Sequence, residues 1–272
     1  MPRQLLGRLR SKDLRLVTHR LMHLSVFVLS AALSLPAWGT CSWKDEDRHL
    51  KISHVPAAVG HYVACKSAPG LHRDIWAVAA PRDSSDEATT DNYDLFLWLE
   101  DPTNRNSIAK GHFAGLLSNG GGPKLEGIEI DTGQYVVAPG VRAFGVRARN
   151  SMTVFKVPTD GEELSLFVVR GKDIVSVLPH ADMRLSYSNR GDDCDEQRRD
   201  VVRVLVVDET ITNGFRDLLV KETITDSAGR QEASGECRVT PTNVKTVEHR
   251  LRYDGRKYVV PSDMREVDCR VC

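Results

Sequence analysis

The sequence predicts an all-β fold, either an antiparallel β-sandwich or an open barrel-like stack of hairpins, stapled by disulfides and preceded by a cleaved N-terminal signal peptide. Three observations lead to this prediction. Short segments of alternating or β-branched residues recur after residue 39, turns rich in Gly, Asn and Asp separate them, and this region shows no amphipathic helix longer than two turns. Strand–turn–strand units at this spacing are typical of antiparallel sheets.

The predicted strands follow one another with short connections. Their positions are 74–80, 93–99, 107–113, 125–130, 135–138, 141–148, 164–170, 173–178, 201–207, 215–224, 238–240, 248–253 and 257–260. The segment 201–207 is nearly all apolar, so we expect it to lie in the interior of the sheet.

A hairpin is predicted around Asn213-Gly214, because this dipeptide is favoured where two adjacent residues need positive φ. We expect Val204 and Val206 to lie on the buried face of this hairpin. Their partners on that face would be Phe215 or Leu218 across the turn.

The amino-terminal segment has the three-part layout of a secretory signal peptide. Residues 1–20 are basic, and the apolar run 24–38 follows. Pro36 breaks the apolar helix, and Ala37 and Gly39 supply small residues at the −3 and −1 positions. We therefore expect residues 1–39 to be removed by cleavage after Gly39, so that the membrane is a partner only during export.

Two alternatives remain open for this segment. An uncleaved membrane anchor is one, because no charged residue occurs in 21–43 and a stretch of this length can span about 30 Å of hydrocarbon. The other is translation from Met22 instead of Met1, which would leave the amino group as the only cation before the apolar run.

The cysteines indicate an oxidising compartment. All six lie after the predicted cleavage site, at Cys41, Cys65, Cys194, Cys237, Cys269 and Cys272. An even number of cysteines in an exported chain predicts a disulfide framework, although six cysteines allow 15 connectivities. Proximity in sequence favours Cys41–Cys65 and Cys194–Cys237. The remaining pair forms a CxxC at the chain end, which we interpret as a structural staple, with a redox dithiol as the alternative.

The chain after the signal peptide divides into two β-regions, 40–117 and 125–272. The Gly-rich segment 118–124 is a long loop or a linker between them, and the two regions form either one domain or two. The 39 N-terminal residues hold six basic side chains and one Asp, so the remaining 233 residues hold 31 basic and 36 acidic side chains. This acidic balance disfavours a nucleic-acid partner.

Catalytic and metal-binding motifs are scarce, and the sequence predicts no catalytic residue, no cofactor and no metal site. Asp131-Thr132-Gly133 matches the pattern around an aspartic-protease carboxylate, but that chemistry needs two such aspartates, so we interpret Asp131 as a turn residue. The acidic run 192–196 is interpreted as a solvated loop anchored by its cysteine, because consecutive carboxylates do not converge on one Ca²⁺. His180 lies near Asp182, but two neighbours do not make a site.

A resemblance to a known family is found in the last third of the chain. Segment 208–220 (DETITNGFRDLLV) resembles the stretch of FG-GAP or VCBS-type β-repeats that ends in GDGF-x-D-L-x-V, and 251–259 (LRYDGRKYV) resembles the strand-turn-strand that closes such modules. Thr210 and Thr212 stand where the family carries Ca²⁺-binding aspartates. Segment 135–147 also resembles uncharacterised exported proteobacterial proteins. The resemblance implies a β-fold and export, and no activity.

These observations predict an exported protein, periplasmic or secreted, that binds another exported protein, as an accessory, inhibitor or immunity-type protein does. An enzyme is the less favoured interpretation. It would be a cell-envelope hydrolase whose active-site residues are distant in sequence and meet only in the folded structure. A third interpretation is a structural envelope protein. An interaction module should show an exposed apolar patch on a sheet face, and an enzyme should show a concave pocket with converging polar groups.

Overall fold

The computed structural model describes residues 41, 43–53, 60–68, 71–82, 92–118, 124–154, 157–190 and 194–265. All of them belong to one compact unit. The elements in this part of the chain are α1 (Trp43–Ile52), β1 (Tyr62–Ala68), β2 (Arg73–Pro81), β3 (Asn92–Glu100), β4 (Ser107–Ser118), β5 (Lys124–Ala138), β6 (Val141–Val154), β7 (Val157–Arg170), β8 (Asp173–Leu178), β9 (Asp182–Arg190), β10 (Glu196–Thr212), β11 (Phe215–Gln231), β12 (Cys237–Tyr253), β13 (Tyr258–Val259) and α2 (Ser262–Arg265). The predicted signal peptide, most of the Gly-rich segment and the CxxC fall outside the described residues.

The strands join in one sheet, which confirms the prediction of an antiparallel all-β fold. Its order is β1-β2-β3-β4-β8-β7-β9-β10-β11-β12-β13, while β5 pairs with β6 and β6 also pairs with β7. Every described pairing is antiparallel except a short parallel contact between β4 and β8 at Lys110 and Asp173.

The sheet folds over so that β1 lies against β5 across a shared core. The Tyr62 hydroxyl donates to the Leu125 carbonyl at 2.5 Å, and the Lys66 ammonium donates to the Ile130 carbonyl at 3.2 Å. The first core cluster is drawn from β2, β3 and β4 on one side and from β5, β6 and β7 on the other, and includes Ile75, Leu95, Leu97, Leu125, Ile130, Phe144 and Phe167. It therefore contains residues from both of the predicted β-regions.

Two predicted strand pairs are single long strands in the structure. The predicted segments 125–130 and 135–138 belong to β5, which continues through an irregularity in its pairing with β6 between Asp131 and Tyr135. The predicted segments 238–240 and 248–253 belong to β12, whose register with β11 shifts between Asp226 and Ser227. The strands β1 and β9 were not predicted.

The helix α1 contradicts the expectation that no helix exceeds two turns. It has 10 residues, which is nearly three turns. Acidic Asp45 and Glu46 lie in its first turn and basic His49 and Lys51 in its last, an arrangement that the helix dipole favours. Leu50 packs into a small cluster on the sheet.

The predicted hairpin around Asn213-Gly214 is confirmed, because these residues have φ of 50° and 83° and join β10 to β11. The prediction of which face of β10 is buried is wrong. The two-residue turn places Thr212 opposite Phe215, and strand alternation then puts Leu205 and Val207 on the inner face with Leu218. Val204 and Val206 consequently point to the outer face.

Candidate protein-interaction surface

Five exposed valines lie on one face of the three strands β10, β11 and β12. We call this the valine face, and its members are Val202, Val204, Val206, Val239 and Val244. The exposed fraction reaches 57% for Val204 and 61% for Val244. Large apolar side chains are common singly on protein surfaces, but a group on one face of a sheet is a feature of interaction sites.

The strand register places the five valines on the same face, three on β10 and two on β12, with β11 between them. Three successive rows run across the strands on this face: Val202–Thr223–Thr246, Val204–Lys221–Glu248 and Val206–Leu219–Arg250. Val244 occupies the next row, opposite Thr225, and Val239 lies beyond the irregularity in β12, opposite Gly229. In these rows a valine on β10 faces Thr223, Lys221 or Leu219 on β11, and Thr246, Glu248 and Arg250 follow on β12.

The opposite face of these strands is covered where it meets the second core cluster, while the part of β12 from Cys237 to Thr246 is exposed on both faces. Val220 and Leu251 are fully buried there in the second core cluster. Alongside them, the Arg203 Nε donates to the Glu222 Oε2 at 2.6 Å, and both side chains are nearly inaccessible to solvent. A sheet with one buried face normally carries polar residues on the other, so the valine face departs from the usual alternation.

The edge of β12 beside the valine face is open in the described part of the chain. On one side β12 pairs with β11, and on the other it pairs with β13 only at Arg252 and Tyr253. Pro241 and the nearby register shift protect the distal part of this edge, because proline and irregular pairing oppose strand addition. From Val244 to Leu251 the register with β11 is continuous and the sequence contains no proline.

The far end of this three-stranded region is anchored by the disulfide Cys194–Cys237, with a Cα–Cα distance of 5.4 Å. A Cβ at Gly229 would collide with the Cys194 carbonyl oxygen and crowd the Glu196 nitrogen, so only glycine fits where β11 passes the disulfide. The disulfide thus fixes the loop before β10 to the start of β12.

The predicted disulfides are found where the structure describes the cysteines. Cys41–Cys65 has a Cα–Cα distance of 5.9 Å and links the start of the chain's described part to β1. Cys194–Cys237 is the second bridge, and the described part of the chain holds no free cysteine. Cys269 and Cys272 lie outside the described residues.

Asp131 sits at the irregularity in β5 and acts as a local hydrogen-bond acceptor. Its Oδ1 accepts from the Gly133 nitrogen at 2.8 Å, and its Oδ2 accepts from the Tyr135 hydroxyl at 2.9 Å and from Arg147 Nε at 2.8 Å. Burial alone would raise the pKa of the Asp131 carboxyl, but these hydrogen bonds and the Arg147 charge hold that pKa below its usual range. Burial and the neighbouring carboxylate raise the pKa of the Tyr135 phenol to about 12.

One group of side chains has the chemistry to hold a cation. Glu163, His180 and Asp182 each offer a ligand atom within 4.8 Å of the other two. His180 Nδ1 lies 3.1 Å from Glu163 Oε2, and its Nε2 lies 3.6 Å from Asp182 Oδ1. Burial raises the pKa of the Asp182 carboxyl, with His180 opposing the shift and Glu163 adding to it. His180 thus lies between the two carboxylates and contacts both.

Comparison with protein-family models, with curated proteins and with solved structures finds no match for this chain. No helix in the described ranges is long and apolar enough to cross a membrane. The two disulfides are typical of a chain that folds in an oxidising compartment.

Sequence reasoning did not identify the valine face. The one available signal was the run of seven residues at 201–207, of which six are apolar. Such a run is apolar on both faces of a strand, and it therefore signals either a strand covered on both sides or an exposed apolar face.

Proposed function

We propose that this chain is an exported protein that acts by binding another exported protein, and that the valine face with the adjoining edge of β12 is its contact surface. The single observation that carries the proposal is the group of five exposed valines on one sheet face. Exported accessory, inhibitor and immunity-type proteins act through such surfaces without catalysing a reaction.

The open edge of β12 indicates what kind of partner segment binds there. An extended segment of the partner pairs its backbone with β12 between Val244 and Leu251, a length of about 27 Å for eight residues at the usual rise per residue. Alternate side chains of that segment lie over the valine face. We therefore expect a partner strand with apolar residues at every second position.

A second copy of this chain is the competing occupant of the edge, and its fit depends on the register. In a two-fold antiparallel pairing, a register centred on Lys245 or on Glu248 places like charges opposite one another. A register centred on Val247 places Lys245 opposite His249. A register centred on His249, however, pairs Glu248 with Arg250 in both directions, so a dimer is the competing outcome, and an adduct of twice the chain mass in the crosslinking experiment below would identify it.

Export is part of the same proposal. The predicted signal peptide and the two disulfides support it. Mass spectrometry of the chain recovered from periplasm or medium should find a mature amino terminus at Thr40. An intact Met1 or Met22 terminus in the membrane fraction would contradict this part.

The contact surface is tested by site-specific photocrosslinking in cells that export the chain. A photoreactive phenylalanine analogue at position 244 should yield a discrete adduct with a second protein. The control position is 136 on β5, where Val136 is 40% exposed but lies outside the valine face. Equal adducts from both positions, or none from 244, would refute the proposal.

A second experiment asks whether the valines themselves matter. The variant Val204→Asp should lose the adduct formed at position 244, because it places a charge in an apolar contact. Val136→Asp should retain the adduct. Because both valines are exposed, both variants should keep the wild-type melting temperature, which separates a lost contact from a lost fold.

A further inference from the structure

A cleft of about 440 Å³ lies between the β7–β8 hairpin and the turn that joins β12 to β13. Arg170 at the end of β7 and Ser176 on β8 form one wall, and Asp254, Arg256 and Lys257 of the turn form the other. Clefts of this size hold small organic molecules. The cleft is separate from the valine face.

The charge of the cleft is positive although the chain beyond residue 39 is acidic overall. Three cationic side chains line it, against the one carboxylate of Asp254. Within the described residues, the charged side-chain nitrogens of Arg170, Arg256 and Lys257 form no ion pair with a carboxylate, although the Asp254 carboxylate binds backbone nitrogens of the turn. Their charge is therefore available to a ligand.

The Asp254 carboxylate accepts hydrogen bonds from the backbone of the turn. Asp254 Oδ1 accepts from the Arg256 nitrogen at 2.7 Å and from the Lys257 nitrogen at 2.8 Å. These hydrogen bonds lower the pKa of the Asp254 carboxyl. The aspartate consequently holds the turn in one shape through the backbone, and the Arg256 and Lys257 side chains take no part in those hydrogen bonds.

The opposite wall is also held in place. An Arg170 guanidinium nitrogen donates to the Tyr253 hydroxyl at 3.0 Å, and the Tyr253 ring stacks on Phe215 with 4.2 Å between centroids. The Ser176 hydroxyl is buried in this wall and has no hydrogen-bond partner among the described residues. Because this hydroxyl is inaccessible to solvent, it belongs to the wall and is not one of the ligand's contacts.

From this geometry we propose that the cleft binds the phosphate group of a small phosphate monoester. Such a group carries a charge of about −1.5 to −2 at neutral pH and presents several acceptor oxygens. Guanidinium groups bind phosphate with paired hydrogen bonds, and an ammonium adds a point charge. The acidic remainder of the chain repels a polyanion, so the ligand is a single phosphate group and not a nucleic acid.

The test is calorimetric titration of the full chain with glycerol 3-phosphate, with glycerol as the uncharged control. The double variant Arg256→Gln/Lys257→Gln should bind at least about tenfold more weakly, because two charge-assisted contacts are removed. It keeps its fold, because the turn is held through backbone nitrogens and not through these side chains. Arg170→Ala should weaken binding to a similar degree.

The matched control is Arg252→Gln, which removes the same charge from an exposed position on β12 outside the lining of the cleft. Its affinity should stay within about twofold of wild type, as expected for a screened surface charge. Absence of binding at millimolar glycerol 3-phosphate, or an equal loss in Arg252→Gln, would overturn the proposal.

A second arm distinguishes a soluble phosphate monoester from a membrane-borne one. Flotation with phosphatidylcholine vesicles that contain phosphatidic acid is compared with flotation on phosphatidylcholine alone. Selective flotation that the double variant loses assigns the phosphate to a lipid headgroup. Binding of glycerol 3-phosphate without flotation assigns it to a soluble ester.

Discussion

The imidazole of His49 stacks on the indole of Trp76, with 4.4 Å between the ring centroids and 15° between the ring planes. His49 Nδ1 lies 2.6 Å from the Asp45 carbonyl oxygen, and Nε2 lies 3.0 Å from Glu100 Oε1. The two ring nitrogens therefore face acceptor oxygens, one on the helix and one on the sheet. The helix α1 is consequently fixed to the sheet by a buried polar contact and an aromatic contact.

Replacement of Glu100 should detach this helix. The Glu100 carboxylate is 1% exposed and also accepts from Arg48 at 2.6 Å. Glu100→Gln removes the buried carboxylate that pairs with Arg48 and contacts His49, so we expect a loss of about 3 kcal/mol in the free energy of unfolding at neutral pH. Urea unfolding followed by tryptophan fluorescence measures this loss. Asp47→Asn on the exposed side of α1 is the control and should stay within about 0.5 kcal/mol of wild type.

The same pair has a defined pH dependence. Burial alone would raise the pKa of the Glu100 carboxyl, but hydrogen bonds and charges from His49 and Arg48 lower it. A lowered pKa in the folded state stabilises the fold above the unfolded pKa of about 4.3, and this stabilisation is lost as pH falls through the folded pKa. The difference between wild type and Glu100→Gln should therefore be constant near neutrality and shrink below about pH 4. A difference that grows with acidification would contradict the assignment.

The variant Asp131→Asn should fold but be less stable than wild type, because Asp131 is a structural residue and not a catalytic one. Asparagine keeps an acceptor for the Gly133 nitrogen but loses the charge that pairs with Arg147, for a cost of about 2 kcal/mol. The pKa of Asp131 is lowered, so this cost is present above about pH 4 and disappears as the wild-type carboxylate is protonated. Thermal unfolding at several pH values measures it. A wild-type peptidase activity that vanishes in a folded Asp131→Asn would show that the residue is catalytic.

Loss of the second disulfide should destabilise the β10–β12 region. Cys194 and Cys237 are 43 residues apart, and opening a loop of that size costs about 3–4 kcal/mol in the chain-entropy model. The variant Cys194→Ser/Cys237→Ser should show this loss in urea unfolding under oxidising conditions. Non-reducing peptide mapping of wild type provides the control, and alkylation of both thiols without reductant would show that the bridge does not form.

Gly214→Val should lower the melting temperature through backbone strain alone. Gly214 has φ of 83°, and a Cβ there would meet no atom within 4 Å, so the penalty comes from conformation and not from a clash. The expected cost is about 1–3 kcal/mol. Thr212→Val, which places the same side chain two residues earlier in the same hairpin, carries no such strain. Equal melting temperatures for the two variants would mean that the hairpin is misplaced.

Strand positions were predictable from sequence because alternation and turn residues are local signals. The strands β2, β3, β8 and the β10–β11 hairpin lie where the sequence places them. The helix α1 was missed because one of the side chains that it buries is His49, a polar residue. His49 is buried by contacts with Trp76, Trp98 and Glu100, which lie far along the chain. The amphipathic character of α1 therefore depends on a tertiary pairing that local sequence does not contain.

The valine face was not predictable for a different reason. In segment 201–207, apolar residues occupy both faces of β10, so periodicity cannot tell which face is covered. The choice is made by the register with β11, which sends Leu205 and Val207 inwards and Val204 outwards. The two disulfides, in contrast, were predictable because each joins two consecutive cysteines of the sequence.

The pairing of the cysteines also bears on how the chain matures. Each of the two described bridges joins cysteines that follow one another directly among the six in the sequence. A chain that emerges amino terminus first exposes Cys41 and then Cys65 before any later thiol, and afterwards Cys194 and then Cys237. An oxidase that joins thiols in order of appearance therefore produces these two bridges directly. Their formation requires an oxidant but no reshuffling of mispaired bonds by an isomerase.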